Sequence, residues 1–465
     1  MATVVDDLRQ TFDTGLTKPY AWRVAQLRAL RALLVDRGDE IERTLWLDLH
    51  KNGDEARLTE IDVVVAEIDH TLKHLREWLR PTRVPVPLLV APATAQVVRE
   101  PLGVVLIVAP WNYPVQLLLA PLVGALAAGC AVVLKPSELA PATSALLARL
   151  VGELLDGRAV RVVEGGVDET TALLEQRFDH VFFTGSERVG RIVYAAAAKQ
   201  LTPVTLELGG KSPVWVDDTT DLEVAARRIA WAKFMNAGQT CVAPDYLLAT
   251  ESVAARLVPL IGAAVRRFYG DDPRASTSYG RLVSDEAFER LSGLLRPIQQ
   301  GAGAARLALG GDSDAATRYL APTVVTGVTF DDELMAAELF GPILPVVTVA
   351  SLDDALEAIR SRPKPLALYA FTEDDRSRRR ILTLTSSGAV AFNAPSAHLA
   401  VPGLPFGGVG PSGIGAYHGE RSLDVFSHEK AVLSKPLHPD TLAVAYPPFT
   451  ARKDSVVRRV LGRLR

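Results

Sequence analysis

The apolar positions change period along the chain, and those changes predict its organisation. Over residues 6–80 they recur at helical spacing, as in Leu27, Leu30 and Leu34 and again in Ile61, Val64, Val65 and Ile68, with charges on the other faces. This predicts a helical preface. Residues 81–98 (PTRVPVPLLVAPATAQVV) hold four prolines and end in apolar/polar alternation, which predicts an extended excursion or edge hairpin, an arm suited to a subunit contact. Strand and helix then alternate. GVVLIVAP, AVVLKPS, AVRVVEGG, DHVFFTGS and PVTLELGG are separated by helices after Tyr113, over 141–155, near 170–176 and over 187–199. A second alternation follows with PVWVDD, a helix over 222–234, DYLLAT, a helix over 253–269, ILPVVTVA, ALEAIRS, LALYAFT and SGAVAFN. Runs apolar almost throughout imply parallel strands covered on both faces, so the chain reads as two α/β domains, without internal repeat or low-complexity tract.

Composition narrows the function classes. The 465 residues carry 51 Lys+Arg against 54 Asp+Glu, a net charge of −3, with 48% apolar and 23% charged residues. That is globular composition and gives no electrostatic reason to expect nucleic acid. Two cysteines, Cys130 and Cys241, rule out a disulfide scaffold and suit a reducing compartment. The N-terminal MATVVDDLRQTFDTG places acids where a leader needs basic residues, so a cytoplasmic location is expected. Residues 102–134 hold no charge and exceed the roughly 20 apolar residues of a membrane span. Pro110, Pro114, Pro121, Asn112 and Gln116 argue instead for a buried strand, turn, helix and strand.

Several segments carry candidate chemistry. G-x-G-x-x-G is absent, but Gly185 and Gly190 of FTGSERVG flank a helix start whose free N–H groups suit a phosphate; taken alone, a tight strand-to-helix turn is the better account of them. In AVVLKPSE, Lys135 and Glu138 follow an apolar strand, where they would meet ribose hydroxyls or remain solvated. Cys241 sits in the small-residue turn NAGQTCVAP, open to a ligand, whereas Cys130 in AAGCAVVL reads as a small hydrophobe. Glu207 interrupts the strand VTLELGG, a costly place for a carboxylate unless it is used or paired. Asn112 of APWNYP follows a strand end, where its amide suits a developing oxyanion. His70 and His74 are four apart on a helix, but H-E-x-x-H is missing and an exposed face explains them, so no metal site is expected.

PWNYP at 110–114, KPSE at 135–138, FTGSERVG, ELGGK at 207–211, GQTCVAPDY at 238–246, ELFGPILP at 338–345 and LPFGGVGPSGIGAYHG at 404–419 together resemble the aldehyde dehydrogenase superfamily, in that family's order. QTCVAPDY, the YHG and FSH endings and DLHKNGDEA resemble its class 3, the fatty and aromatic aldehyde branch, and coverage runs over about 10–452. The resemblance implies a Cys241 nucleophile with a lowered pKa, an oxyanion site of Asn112 and the Cys241 N–H, and Glu207 as general base for thioester hydrolysis. It implies NAD, with NADP also accepted in the class, held by Trp111, Lys135, Glu138, Gly185, Ser186, Gly190, Glu338 and Phe340. Tyr113, Trp231 and Phe406 would line an aldehyde tunnel.

The implied architecture is an aldehyde dehydrogenase-like α/β fold. Two doubly wound domains are expected: cofactor-binding at 1–80 and 99–207, and catalytic at 208–420. An oligomerisation arm at 81–98 and 421–446 would support a homodimer. Ala394 and Glu420 depart from class 3, which commonly has an acid and a lysine there. The tail 447–465 holds six basic residues and one acid, with Val456, Val457, Val460, Leu461 and Leu464 at helical spacing. It suits weak peripheral contact with an anionic membrane, or a short helix docked on the protein or frayed in solvent. Two alternatives to hydrolytic aldehyde oxidation stand: a coenzyme A-acylating relative, against which Glu207 speaks, and a non-catalytic protein of the same fold.

Overall fold

A computed structural model describes residues 1–88 and 90–462. The preface comprises α1 (Ala2–Asp13), α2 (Tyr20–Asp36), α3 (Gly38–Leu49), α4 (Gly53–Ala56) and α5 (Asp62–Trp78), with one π turn at Arg57–Ile61. An arm strand β1 (Thr82–Val84) returns as β2 (Thr94–Pro101). The first alternation is β3 (Val104–Val108), α6 (Gln116–Ala128), β4 (Ala131–Lys135), α7 (Pro141–Leu154), β5 (Val160–Val162), α8 (Val167–Leu174), β6 (His180–Thr184), α9 (Glu187–Ala198) and β7 (Val204–Glu207). The second begins with β8 (Pro213–Val216), α10 (Leu222–Phe234), β9 (Tyr246–Ala249), α11 (Glu251–Tyr269), α12 (Asp285–Gln299), β10 (Arg306–Leu309), β11 (Ser313–Asp314) and β12 (Tyr319–Leu320). It continues through β13 (Thr323–Thr326), β14 (Ile343–Thr348), α13 (Leu352–Arg360), β15 (Ala367–Phe371), α14 (Asp375–Leu384) and β16 (Ala389–Phe392). β17 (Gly413–Ile414), α15 (Glu420–Val425), β18 (Ser427–Ser434) and α16 (Ala451–Gly462) complete the chain.

The expected two parallel sheets are present. The first runs β17-β7-β6-β3-β4-β5, parallel except for β17, and the order reverses about β3, so a crevice opens at the carboxyl ends of β3 and β6. The second runs β10-β13-β14-β9-β8-β15-β16 with β10 antiparallel. β17 comes from the far end of the chain to complete the edge of the first sheet, pairing Gly413 with Glu207. The charge-free stretch 102–134 is β3, α6 and β4; every residue of α6 is buried between the sheet and α2 and α5, as a helix apolar all round requires. Val5 and Leu8 of α1 close the opposite face of that sheet. No helix among the described residues is long and apolar enough to cross a membrane.

The arm is a three-stranded antiparallel sheet, β1-β2-β18, mostly exposed, and Arg99 of β2 pairs with Glu420 at 2.9 Å and Asp424 at 2.8 Å. Glu420, the departure noted above, therefore ties the arm to α15. His70 and His74 differ from the expected exposed face: they are partly buried, and their rings lie 4.7 Å apart, with Trp78 5.6 Å from His70 and 5.7 Å from His74. The tail forms α16, with Arg458 bonded to Asp454 at 2.8 Å; Leu464 lies outside the described residues.

Candidate active site

Parallel strands put all their carboxyl ends on one edge of a sheet, and here that edge gathers the motifs. Register aligns Thr184 with Glu207 and Val108 with both Phe183 and Lys135, so the residues after β7, β6, β3 and β4 form a row. Lys135 is buried; its ammonium donates to the Pro136 carbonyl at 2.7 Å and lies 4.0 Å from the exposed Glu138 carboxylate. Ser186 caps α9 by accepting the Val189 N–H at 3.4 Å. Gly190 packs tightly on Leu208, where an added Cβ would come within 2.7 Å of Cδ2, so helix–strand packing accounts for it.

The turn that carries Cys241 follows α10. Asn236, Ala237 and Gly238 take left-handed φ values of 52°, 51° and 75°. A Cβ on Gly238 would lie 2.3 Å from the Gly341 carbonyl, so only glycine permits that approach. Gln239 locks the turn: its amide donates to the carbonyls of Asn236 and Arg281, each at 3.0 Å, and its oxygen accepts the Val283 N–H at 3.0 Å. Tyr369 Oη donates to the Val242 carbonyl at 2.7 Å, and Tyr113 and Thr240 hydroxyls meet at 2.7 Å. The Cys241 thiol is thus carried half-buried on a rigid turn.

The expected low thiol pKa is not what the chain alone provides. Burial first, then the Glu338 and Glu207 carboxylates, push Cys241 up to about 12; its own N–H and that of Val242 lower it, as expected, but are outweighed. Glu207 is 2% exposed, neither carboxylate oxygen has a hydrogen-bond partner among the described residues, and burial alone pushes it well above the usual carboxylate range. The Asn112 amide is buried and donates to the Gln239 carbonyl at 3.0 Å, which leaves one N–H for another acceptor.

A cavity of about 430 Å³, lined by Cys241, is walled mainly by apolar side chains. Tyr113, Phe406 and Trp231 all line it, Trp231 remaining 38% exposed. Glu207 and Asn112 do not, and neither do the residues assigned to the cofactor. Val63, Met235, Leu399 and Tyr417 line it too but escaped sequence reasoning, because nothing local marks a residue as facing a cavity formed by five separate segments.

Glu338 and Phe340 are placed by a second network that the sequence did not reveal. Asp245 accepts from Lys211 at 2.5 Å and from the Leu339 N–H at 3.0 Å, and Lys211 also donates to the carbonyls of Leu334 and Ala337. Lys211 and Asp245 lie within ELGGK and GQTCVAPDY, so the signal was at hand. Glu338 fills the space beside Gly209, where a Cβ would come within 2.2 Å of its carboxylate, and burial first, then Asp245, raises it to about 8. Phe340 meets Trp111 edge to face at 5.4 Å. Two carboxylates and a lysine suit ribose hydroxyls, and the start of α9 suits a pyrophosphate, so the residues present fit a nicotinamide dinucleotide.

Comparison with known proteins agrees with this geometry. Residues 3–432 match the aldehyde dehydrogenase family. Aldehyde dehydrogenase family 3 member B1 of Rattus norvegicus is 47% identical over 449 residues, 96% of this chain and 94% of its own. The dimeric NADP-preferring aldehyde dehydrogenase of Canis lupus familiaris is 44% identical over 97% of this chain and 98% of its own. The substrate-bound structure of Staphylococcus aureus AldH superposes with a TM-score of 0.95 at 43% identity, covering 99% of each chain. The chain belongs to the aldehyde dehydrogenase family and is an oxidoreductase that converts aldehydes to carboxylic acids with NAD, NADP being an alternative.

Proposed function

We propose that this enzyme oxidises medium- or long-chain aliphatic and aromatic aldehydes through a thioester on Cys241, hydrolysed by water. The observation that carries this reading is the mainly apolar cavity that Cys241 lines. The thiolate adds to the aldehyde carbon, and the oxygen of the adduct accepts hydrogen bonds from the free Asn112 N–H and the Cys241 N–H. A bound oxidised nicotinamide dinucleotide, held by the residues described above, would supply the hydride acceptor for the adduct carbon. Collapse of the adduct leaves the acyl group on sulfur. Glu207, ionised, takes a proton from water as that water attacks the acyl carbon, and the carboxylic acid leaves with the thiolate restored. An intact base for water disfavours the coenzyme A-acylating alternative.

Purified protein assayed with NAD and a panel of aliphatic, aromatic and dicarboxylic semialdehydes tests the substrate class. Turnover favouring the apolar aldehydes is expected. Preference for the semialdehydes, or a requirement for coenzyme A, overturns it.

Glu138 supports a preference for NAD, because its exposed carboxylate would repel a 2′-phosphate. Glu138→Gln is expected to improve kcat/KM with NADP by about fivefold, the scale of one exposed like-charge contact, with little change for NAD. Equal changes for both cofactors would place Glu138 elsewhere. The exposed arm, with Leu433 60% exposed on the edge strand β18, supports a homodimer formed through β1, β2 and β18. Contact of the basic tail with anionic membrane remains subsidiary to this reading.

A further inference from the structure

A lysine deep beneath the site has no assigned role. α3 ends at His50, whose left-handed φ of 50° turns the next residue inward. The Lys51 side chain is wholly buried and its three donors are occupied: it bonds Glu60 Oε1, it donates to the Asn112 main-chain carbonyl at 3.0 Å, and it lies 4.0 Å from the Tyr113 ring centre. Glu60, in the π turn, accepts the N–H groups of Val115 and Gln116 at 3.0 Å each and fixes the start of α6. The Asn112 carbonyl accepts a second bond, from Asn236 Nδ2 at 2.9 Å, and the Asn236 N–H donates to Glu55 at 2.9 Å. Lys51, Glu55 and Glu60 therefore lash the 110–114 loop to the nucleophile turn.

We propose that Lys51 is a positioning residue for the oxyanion site: its ammonium clamps the Asn112 carbonyl and so sets where the Asn112 amide points. This rests on the reading of Asn112 as oxyanion donor. A buried ion pair is weak evidence of stabilisation, since its attraction is offset by desolvation. What it supplies here is direction. The ammonium holds the backbone of Asn112 from one side while the Gln239 carbonyl holds its amide from the other, and an error of 1 Å in such a donor costs on the order of 10²-fold in rate.

The test is a double-mutant cycle on the full-length enzyme, read as kcat for NADH formation, KM for NAD and single-turnover hydride transfer. Asn112→Ala is expected to lower kcat by about 10² to 10³-fold. Lys51→Met is expected to lower kcat and the single-turnover rate by about 10 to 10²-fold with KM for NAD unchanged. In the Asn112→Ala background Lys51→Met is expected to cost almost nothing further, because the donor it positions is gone. Should Lys51→Met not yield folded protein, Glu60→Gln, which keeps shape but removes the counter-charge, takes its place in the same cycle with the same non-additivity expected. Multiplicative effects, a lysine that acts only on stability, overturn the proposal, as does wild-type kcat in Lys51→Met. Wild-type kcat in Asn112→Ala overturns it too, and in that case the reading of Asn112 falls with it.

Discussion

Cys241→Ala is expected to lower aldehyde oxidation by at least about 10⁴-fold, the scale of removing a covalent nucleophile. The fold should be undisturbed: the side chain is only half-buried, and the turn that carries it is held by Gln239, Tyr369 and the Asn236–Gly238 backbone rather than by the thiol. Cofactor binding without turnover, at unchanged thermal stability, is the expected result; retention of a tenth of the activity would assign the nucleophile elsewhere. The thiol's environment adds a pH prediction with a definite sign. With a thiol pushed up to about 12, the thiolate fraction in the chain alone rises about tenfold per pH unit through the neutral and alkaline range, and alkylation of Cys241 by iodoacetamide should rise with it. Added NAD should raise the alkylation rate at pH 7 to 8, because a positive ring beside the sulfur opposes burial and the two carboxylates. Equal rates with and without NAD would show that activation comes from another source.

Glu207→Gln is expected to lower steady-state kcat by about 10² to 10⁴-fold while sparing the first turnover. Burying an ionised carboxylate without a partner is expensive, so burial favours the protonated form of Glu207, and its capacity to act as a base grows as pH rises. kcat of the native enzyme should therefore climb with pH wherever thioester hydrolysis limits it, and the variant should lose that climb. Rapid-mixing measurement of NADH should show a burst of about one equivalent per subunit in Glu207→Gln, followed by slow release of acid. Loss of the burst itself would place Glu207 in the formation of the thioester instead. Restoration of turnover by coenzyme A in the variant is compatible with the hydrolytic role, whereas a coenzyme A requirement in the native enzyme is not.

Much of the architecture was legible because parallel strands buried on both faces read as unbroken apolar runs. The helix expected over 222–234 is α10, Leu222–Phe234, opened by Asp221, whose carboxylate accepts the N–H groups of Glu223 and Val224. Several elements that escaped notice lie in the second alternation. α14 (DRSRRRILTL) buries only Ile381, so its pattern has almost no apolar stripe. β13 (TVVT) is four residues long, too short for its period to stand out. α12 was within reach, since Ser284 caps it and Phe288, Leu291 and Leu295 mark its buried face.

At the site, the motifs singled out the candidate reacting groups, and residue type was enough for that: a cysteine in an open turn and a carboxylate interrupting an apolar strand are both chemically conspicuous. What each group can do was decided by the tertiary structure. Whether Glu207 was paired or orphaned, and whether the thiol was acidified or suppressed, depends on burial and on carboxylates brought in from other segments, none of which leaves a local trace. The same holds for Lys51 and Asn236, which meet the Asn112 carbonyl across 61 and 124 residues of chain. Hydrophobic periodicity is a property of neighbours along the sequence, and so the sequence by itself determined elements, sheet type and candidate chemistry. Electrostatic environment and the aim of a hydrogen bond are properties of neighbours in space, and those only the folded chain could set.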